Sequence, residues 1–434
     1  MPEQTSATLP DNPNLEWLRK QAKTRLTELR RTRPDTTLAD AQFDLAKQYG
    51  FASWRALKSH IDSLTLDGRI IEAARTGHVE RLTRLLDDHP DKLHLKVPPY
   101  EASLLFPAAR SGSIEAVDAL LRRGLDVNYR EKGDNTYALH WVAAQGNLAM
   151  ARKLVDAGGD VIGDGDDHAG GVIGWATCWD GCDDDAHRAV VDLLISRGAR
   201  HHIFSAIAMD LADEVRRIVA ADPAALNQRQ SRNENHQTPL QFAVRMNRPA
   251  IVQLLLQLGA DPLAVDGGGM PVAGYATDPE VDLPVMRKIR DMTLAELDSA
   301  VRGHRPPSLG TIDLLAAVGL RDWATASTIV AANRETVDRG TLHLLAKRGD
   351  AAGVKWLLEH GANPNATWAH WDANVTALHL AALSGSTGVA HVLVEAGADT
   401  TVRDSQHDSD ALGWAKFFRR PDIVRLIEDG AKQG

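Results

Sequence analysis

One pattern dominates this chain: a short motif returns in register along most of its length. It reads Thr238-Pro-Leu-Gln-Phe-Ala243 in one copy and Thr376-Ala-Leu-His-Leu-Ala-Ala382 in another, and Thr341-Leu-His343 followed by Ala346 is a third. At a fixed distance after the motif stand an apolar pair and a small turn. Examples are Leu254-Leu255-Leu256 before Gly259-Ala260-Asp261, Leu357-Leu358 before Gly361-Ala362-Asn363 and Val392-Leu393 before Gly397-Ala398-Asp399. Leu120-Leu121 before Gly124 and Leu193-Leu194 before Gly198-Ala199 repeat that second half. Two short helices and a turn have an apolar face that only neighbouring copies can cover, so the chain must stack on itself. A glycine after the second helix supplies its left-handed cap.

These residues resemble the ankyrin repeat, which has a period of about 33 residues and a T-P-L-H-x-A signature. The 368 residues from Asp67 to Gly434 hold about eleven such units, ten of them placeable and one degenerate. The resemblance implies an all-α fold: an ankyrin-repeat solenoid of ten to eleven helix-turn-helix units. Two segments break the pattern. Residues 267–309 read as a degenerate repeat with a Pro-rich insertion and a helix from Thr293 to Val301, separating a first arm (67–266) from a second (310–434).

The other break is residues 1–66. Leu15, Leu18, Ala22, Leu26 and Leu29 mark one helix face ending at Pro34; Leu38, Ala41, Leu45 and Ala46 mark a second; Trp54, Leu57 and Ile61 mark a third. With ten basic and eight acidic residues the module is nearly neutral, which favours a three-helix cap for the array over a DNA-binding motif. The phrase from Tyr49 to Lys58 resembles the leader of many bacterial ankyrin arrays, which implies a bacterial source.

Composition narrows the function. A formal charge of −9 argues against nucleic acid as the main partner. No apolar run approaches the roughly 18 residues of a membrane helix, and the polar, Pro-rich segment Met1–Asn14 lacks a signal pattern. With only two cysteines, Cys178 and Cys182, the expectation is a soluble cytoplasmic protein. Ten Trp against seven Phe and five Tyr is an inverted ranking, and Trp is favoured at recognition sites.

In the ankyrin family two positions late in each first helix face the concave side. Carried onto this sequence, they are Arg75 and Thr76, Arg110 and Ser111, Ala144 and Gln145, Cys178 and Trp179, Ala208 and Met209, Arg245 and Met246, Lys347 and Arg348, and Leu383 and Ser384. The stripe is basic and apolar with no carboxylate at these positions, so the resemblance implies a protein-interaction scaffold for an acidic or extended partner. Trp141, Trp175 and Trp414 fall where the family buries a Leu. His140, His343 and His379 occupy the signature position, where the imidazole ties backbone groups of adjacent repeats.

Two finger regions stand out. One, Asp160 to His187, is acidic and holds Cys178, Cys182 and His187, whose spacing matches no recognised zinc site. The other, Asn363 to Thr376, carries Trp368, His370, Trp371 and Asp372. If they converge, Trp179, Asp180, Trp371, His370 and Asp372 supply stacking plus an acid and a base, the alternative reading of a small-molecule or catalytic pocket. No nucleophile motif, phosphate loop or metal motif accompanies them, and no cofactor is expected.

Overall fold

The computed structural model describes residue 9 and residues 15–276, 280–303, 309–337, 340–370 and 373–430, apart from the side chains of residues 62 and 63. They divide into two compact units, one running up to Gly163 and including Ala186–Arg197, the other formed by Asp164–Asp185 and everything from Gly198 onward.

In the first unit α1 (Leu15–Arg30), α2 (Leu38–Gln48) and α3 (Trp54–Ser63) enclose Leu18, Ala22, Leu45, Leu57 and Ile61, as the helix faces require. Thr37 and Asp40 close α2 with a reciprocal capping box. α3 packs on α4 (Leu66–Arg75), the first helix of the repeats. The hairpins α4/α5 (Val79–Asp88), α6 (Leu105–Ser111)/α7 (Ile114–Arg122) and α8 (Ala138–Ala144)/α9 (Leu148–Asp156) then stack first helix on first helix and second on second. Most of α11 (Asp185–Ser196) belongs here too, its His187 Nε2 3.2 Å from the Ala144 carbonyl.

The second unit begins with α10 (Gly171–Trp175). It continues through α12 (Ile203–Ala208)/α13 (Ala212–Ala221), α14 (Pro239–Arg245)/α15 (Pro249–Gln257), α16 (Leu283–Arg302), α17 (Thr311–Gly319)/α18 (Trp323–Ala332) and α19 (Thr341–Lys347)/α20 (Ala351–Glu359). It ends with α21 (Ala377–Ser384)/α22 (Thr387–Glu395) and α23 (Ala411–Phe417)/α24 (Pro421–Gly430). Among the described residues the secondary structure is helical except for one antiparallel hairpin, β1 (Thr367–His370) with β2 (Ala373–Thr376), built into the Trp-bearing finger. Where the sequence places a degenerate repeat, a single 3₁₀ turn, Val272–Tyr275, takes the first-helix position against α14 and α19. The second helix is α16, twenty residues long rather than the nine of Thr293–Val301, because Pro284 sits in its first turn, where no N–H is needed.

The hairpin bend after the first helix needs positive φ, which Gly112 and Gly385 adopt at +78°. Elsewhere Asn247 (+54°) and Arg321 (+64°) hold the same bend, which hides their repeats from a glycine search. The signature side chains tie each repeat onward. Nε2 of His140 lies 3.1 Å from the Gly163 carbonyl, that of His343 2.9 Å from Ala366 and that of His379 3.1 Å from Ser409. A carbonyl only accepts, so each imidazole donates from Nε2. Gln241 does the same work, giving Nε2–H to the Met270 carbonyl at 2.9 Å.

A second device recurs at the finger bases: a buried acid closes the loop and then receives the polar tip of an aromatic nine or ten residues on. Asp166 accepts from the Gly171 amide (2.8 Å) and Trp175 Nε1 (3.1 Å). Asp266 accepts from the Met270 amide (2.8 Å) and the Tyr275 hydroxyl (2.5 Å). Asp404 accepts from the amides of Gln406, His407 and Ser409 and from Trp414 Nε1 (2.9 Å). In the first unit Glu131 holds Thr136, whose hydroxyl takes Trp141 Nε1–H at 2.9 Å. Burial opposes the charge on Asp404, but the hydrogen bonds outweigh it and lower its pKa. Trp414→Phe removes one of these donors from a carboxylate 3 % exposed, and is expected to cost about 1.5–3 kcal/mol by chemical denaturation. An unchanged midpoint would show that the clamp adds nothing.

Candidate functional site

In the first unit, on the neighbouring helices α4, α6 and α8, Arg75 ends α4, Arg110 stands one residue before the end of α6 and Gln145 caps α8, and all three are exposed. They differ in charge state. Arg75 is held by Glu72 through two contacts, 2.8 and 2.6 Å, so it presents little net field. Arg110 instead lies 5.7 Å over the half-buried Trp141 ring, a cation beside an aromatic face.

The corresponding positions of the second unit close around a cavity of about 610 Å³. Cys178 and Trp179 follow α10, Arg245 ends α14, Lys347 ends α19 and Leu383 and Ser384 end α21; all line it. One wall is aromatic. Trp175, Trp179 and His168 meet edge to face with ring centres 5.0–5.4 Å apart, and Phe204 and Tyr275, each 4 % exposed, continue the surface. His168 pairs with Glu234 of the next finger, which orients both. Burial, reinforced by Asp266, pushes the Tyr275 hydroxyl pKa up, so the phenol stays protonated. Burial also pushes the Cys178 thiol up to about 12, which makes it a poor nucleophile.

The cations around the cavity are less free than their sequence positions imply. Arg245 gives Nη2–H to the Cys178 carbonyl at 3.2 Å and stands 3.5 Å from Asp180. Lys347 is 5 % exposed and donates to the Gly274 carbonyl; burial lowers its pKa to about 8. Arg348, next in the stripe, does not face a partner: its guanidinium is buried on Asp282 at 2.6 Å. The expected absence of carboxylates holds for the stripe positions but not for their surroundings, where Glu72, Asp180 and Asp282 answer three of the arginines.

Met246 is half-buried against the core of its unit and does not line the cavity. Trp368 lies over Gly340, where an added Cβ would stand 2.5 Å from Nε1, and borders a second cavity with Met270 and Ala369. His370, 3 % exposed on β1, is not among the residues lining the larger cavity. Burial and the nearby Lys347 hold its pKa down to about 3, so it is neutral. Thus Trp179 and Asp180 share a cavity and His370 does not join them; Trp371 and Asp372 lie outside the described residues. The residues missed from sequence, Gln230, Gln237, Tyr275 and Arg420, come from fingers and turns. Only the Asp266–Tyr275 spacing, shared with Asp166–Trp175, offered a signal.

Among the described residues no cluster of His, Cys, Asp and Glu is arranged to hold a metal ion, and no helix is long and apolar enough to cross a membrane.

Compared with known proteins, the chain matches the sequence model for ankyrin repeats in three copies over residues 70–165, 325–404 and 342–433, and that for the single ankyrin repeat over 235–267. It is 27 % identical over 206 residues to the mouse B-cell lymphoma 3 protein homolog, covering 46 % of this chain and 45 % of that protein. It is 29 % identical over 213 residues to the human B-cell lymphoma 3 protein, covering 44 % and 42 %. The chain thus spans less than half the length of these relatives. Among solved structures, the human ASB11 ankyrin repeat domain matches at 20 % identity and a TM-score of 0.35, over 50 % of this chain and 96 % of that one. The ankyrin repeat domain of Bcl-3 matches at 26 % and 0.25, over 52 % and 98 %.

Proposed function

The chain belongs to the ankyrin repeat family, and from that premise we propose that it is a protein-interaction scaffold whose first unit grips an extended partner segment. Ankyrin repeats support a protein-binding role in general; the partner is this protein's own and is not carried over from the Bcl-3 relatives, which share less than half of their length with it.

The observation that carries the reading is the exposed row Arg75, Arg110 and Gln145 on three adjoining helices. Its centre is Arg110 with Trp141, since Glu72 already neutralises Arg75. Arg and Trp are the side chains that most often dominate a binding interface. A partner carboxylate meeting Arg110, with an apolar neighbour on the Trp141 face, satisfies both groups.

The test is capture from native lysate with wild type, Arg110→Glu and, as a control on an exposed face of α16, Arg287→Glu. A protein held by wild type and by the control, and at least about tenfold depleted on Arg110→Glu, is the expected result. Equal recovery on all three would overturn the assignment of this row.

A further inference from the structure

We infer that the second unit carries a separate small-molecule site, and that its ligand is an anion built on a flat ring bearing N–H donors. The site lies wholly within that unit, so it stands or falls independently of the partner-binding row in the first.

Three observations define the ligand. The cavity of about 610 Å³ lies in the range that encloses cofactor- and drug-sized molecules. The wall of Trp175, Trp179, Phe204 and Tyr275 presents flat apolar faces, which favour an aromatic ring. The charged residues around it are four cations, Arg229, Arg245, Lys347 and Arg420, against Asp180 and Glu234, an excess that attracts a negative group.

The polar atoms of the wall say the rest. Among the described residues, Trp179 Nε1, Arg245 Nε and Arg420 Nε are N–H donors shielded from water that meet no acceptor, and Gln230 Oε1 and Gln237 Oε1 are shielded acceptors that meet no donor. Gln237 is only 6 % exposed. Buried polar atoms in folded proteins are normally paired, and unpaired ones gathered in the wall of a single cavity mark a place where a ligand supplies the partners. Small side-chain rotations into the cavity let the three donors meet a carboxylate, phosphate or ring acceptor while the two amides receive ring N–H groups. Edge-to-face packing holds Trp175, Trp179 and His168 in place.

A carboxylate and a phosphate fit the same donors, so the experiment has two arms. Adenosine monophosphate and indoleacetate are titrated into the full-length protein, followed by calorimetry and Trp fluorescence, with adenosine and indole as their uncharged counterparts. One of the two anions is expected to bind with a Kd of about 100 µM or tighter and its uncharged counterpart at least about tenfold more weakly. Gln230→Leu removes one recognition atom and is expected to raise Kd by about tenfold at unchanged melting temperature; Arg420→Met, which also gives up the 3.0 Å bond from Nη2 to the Leu383 carbonyl, is expected to raise Kd by about tenfold with a lowered melting temperature. If one variant fails to fold, the other decides. Absence of binding by both anions up to about 1 mM, equal binding of the uncharged counterparts, or an unchanged Kd in the folded variants would overturn the inference.

Discussion

Asp282→Asn is expected to destabilise the second unit by about 3–5 kcal/mol. Asp282 sits at the start of α16 and Arg348 at the end of α19, their side chains 0 % and 1 % exposed and 2.6 Å apart. Taking both charges out of water is costly, and they are tolerated because each answers the other. The amide leaves the guanidinium buried without its counter-charge, so the penalty far exceeds that of an exposed pair such as Arg302 with Asp298. The double variant Asp282→Leu with Arg348→Met removes both charges and is expected to recover most of the loss, because apolar replacement of a buried pair is close to neutral. Chemical denaturation of wild type, Asp282→Leu, Arg348→Met and the double variant completes the cycle, with Asp282→Asn measured beside them. A loss under about 1 kcal/mol in the single variant would mean that water reaches the pair.

Acid is expected to unfold the second unit well before its carboxylates titrate. Burial lowers the pKa of His202 and His343 to about 4, and burial with the Lys347 charge lowers that of His370 to about 3, against about 6.5 in an unfolded chain. Between pH 6.5 and about 4 the unfolded chain therefore binds a proton at each of these three histidines that the native unit refuses, and burial lowers the pKa of His379 in the same sense. The stability these histidines contribute is complete above pH 6.5 and is lost as the pH falls. The loss is roughly 1.4 kcal/mol per pH unit for each fully differing proton. Urea midpoints measured at pH 7, 6 and 5 should fall progressively; a level series would show that the imidazoles reach solvent. His343→Gln provides the internal check. Gln241 already holds the equivalent carbonyl three repeats earlier without titrating, so the variant should fold and lose one histidine's share of the slope.

The repeat was legible in the sequence because everything that makes it is local. Capping residues such as Thr238 with Gln241, Thr376 with His379, the apolar spacing and the turn glycines act within a few residues of one another, and their periodic return dictates that the units stack. The ankyrin resemblance also places Cys178, Arg245, Lys347 and Leu383 at equivalent positions, and they do border one cavity. Exposure along that row was not legible, because it depends on what arrives from a distant repeat. Arg348 is buried because Asp282, 66 residues away in sequence, comes to it from the start of α16. The abundance of tryptophan takes on a structural meaning only in the packed fingers, where indole N–H groups meet the acids Asp166 and Asp404 directly and Glu131 through the Thr136 hydroxyl. Sequence determined the repeating backbone, since short-range hydrogen bonds and burial patterns suffice for it. Tertiary structure decided which of the aligned side chains remain available to a ligand or partner, since a charge or a polar atom is free or spent according to neighbours that only packing supplies.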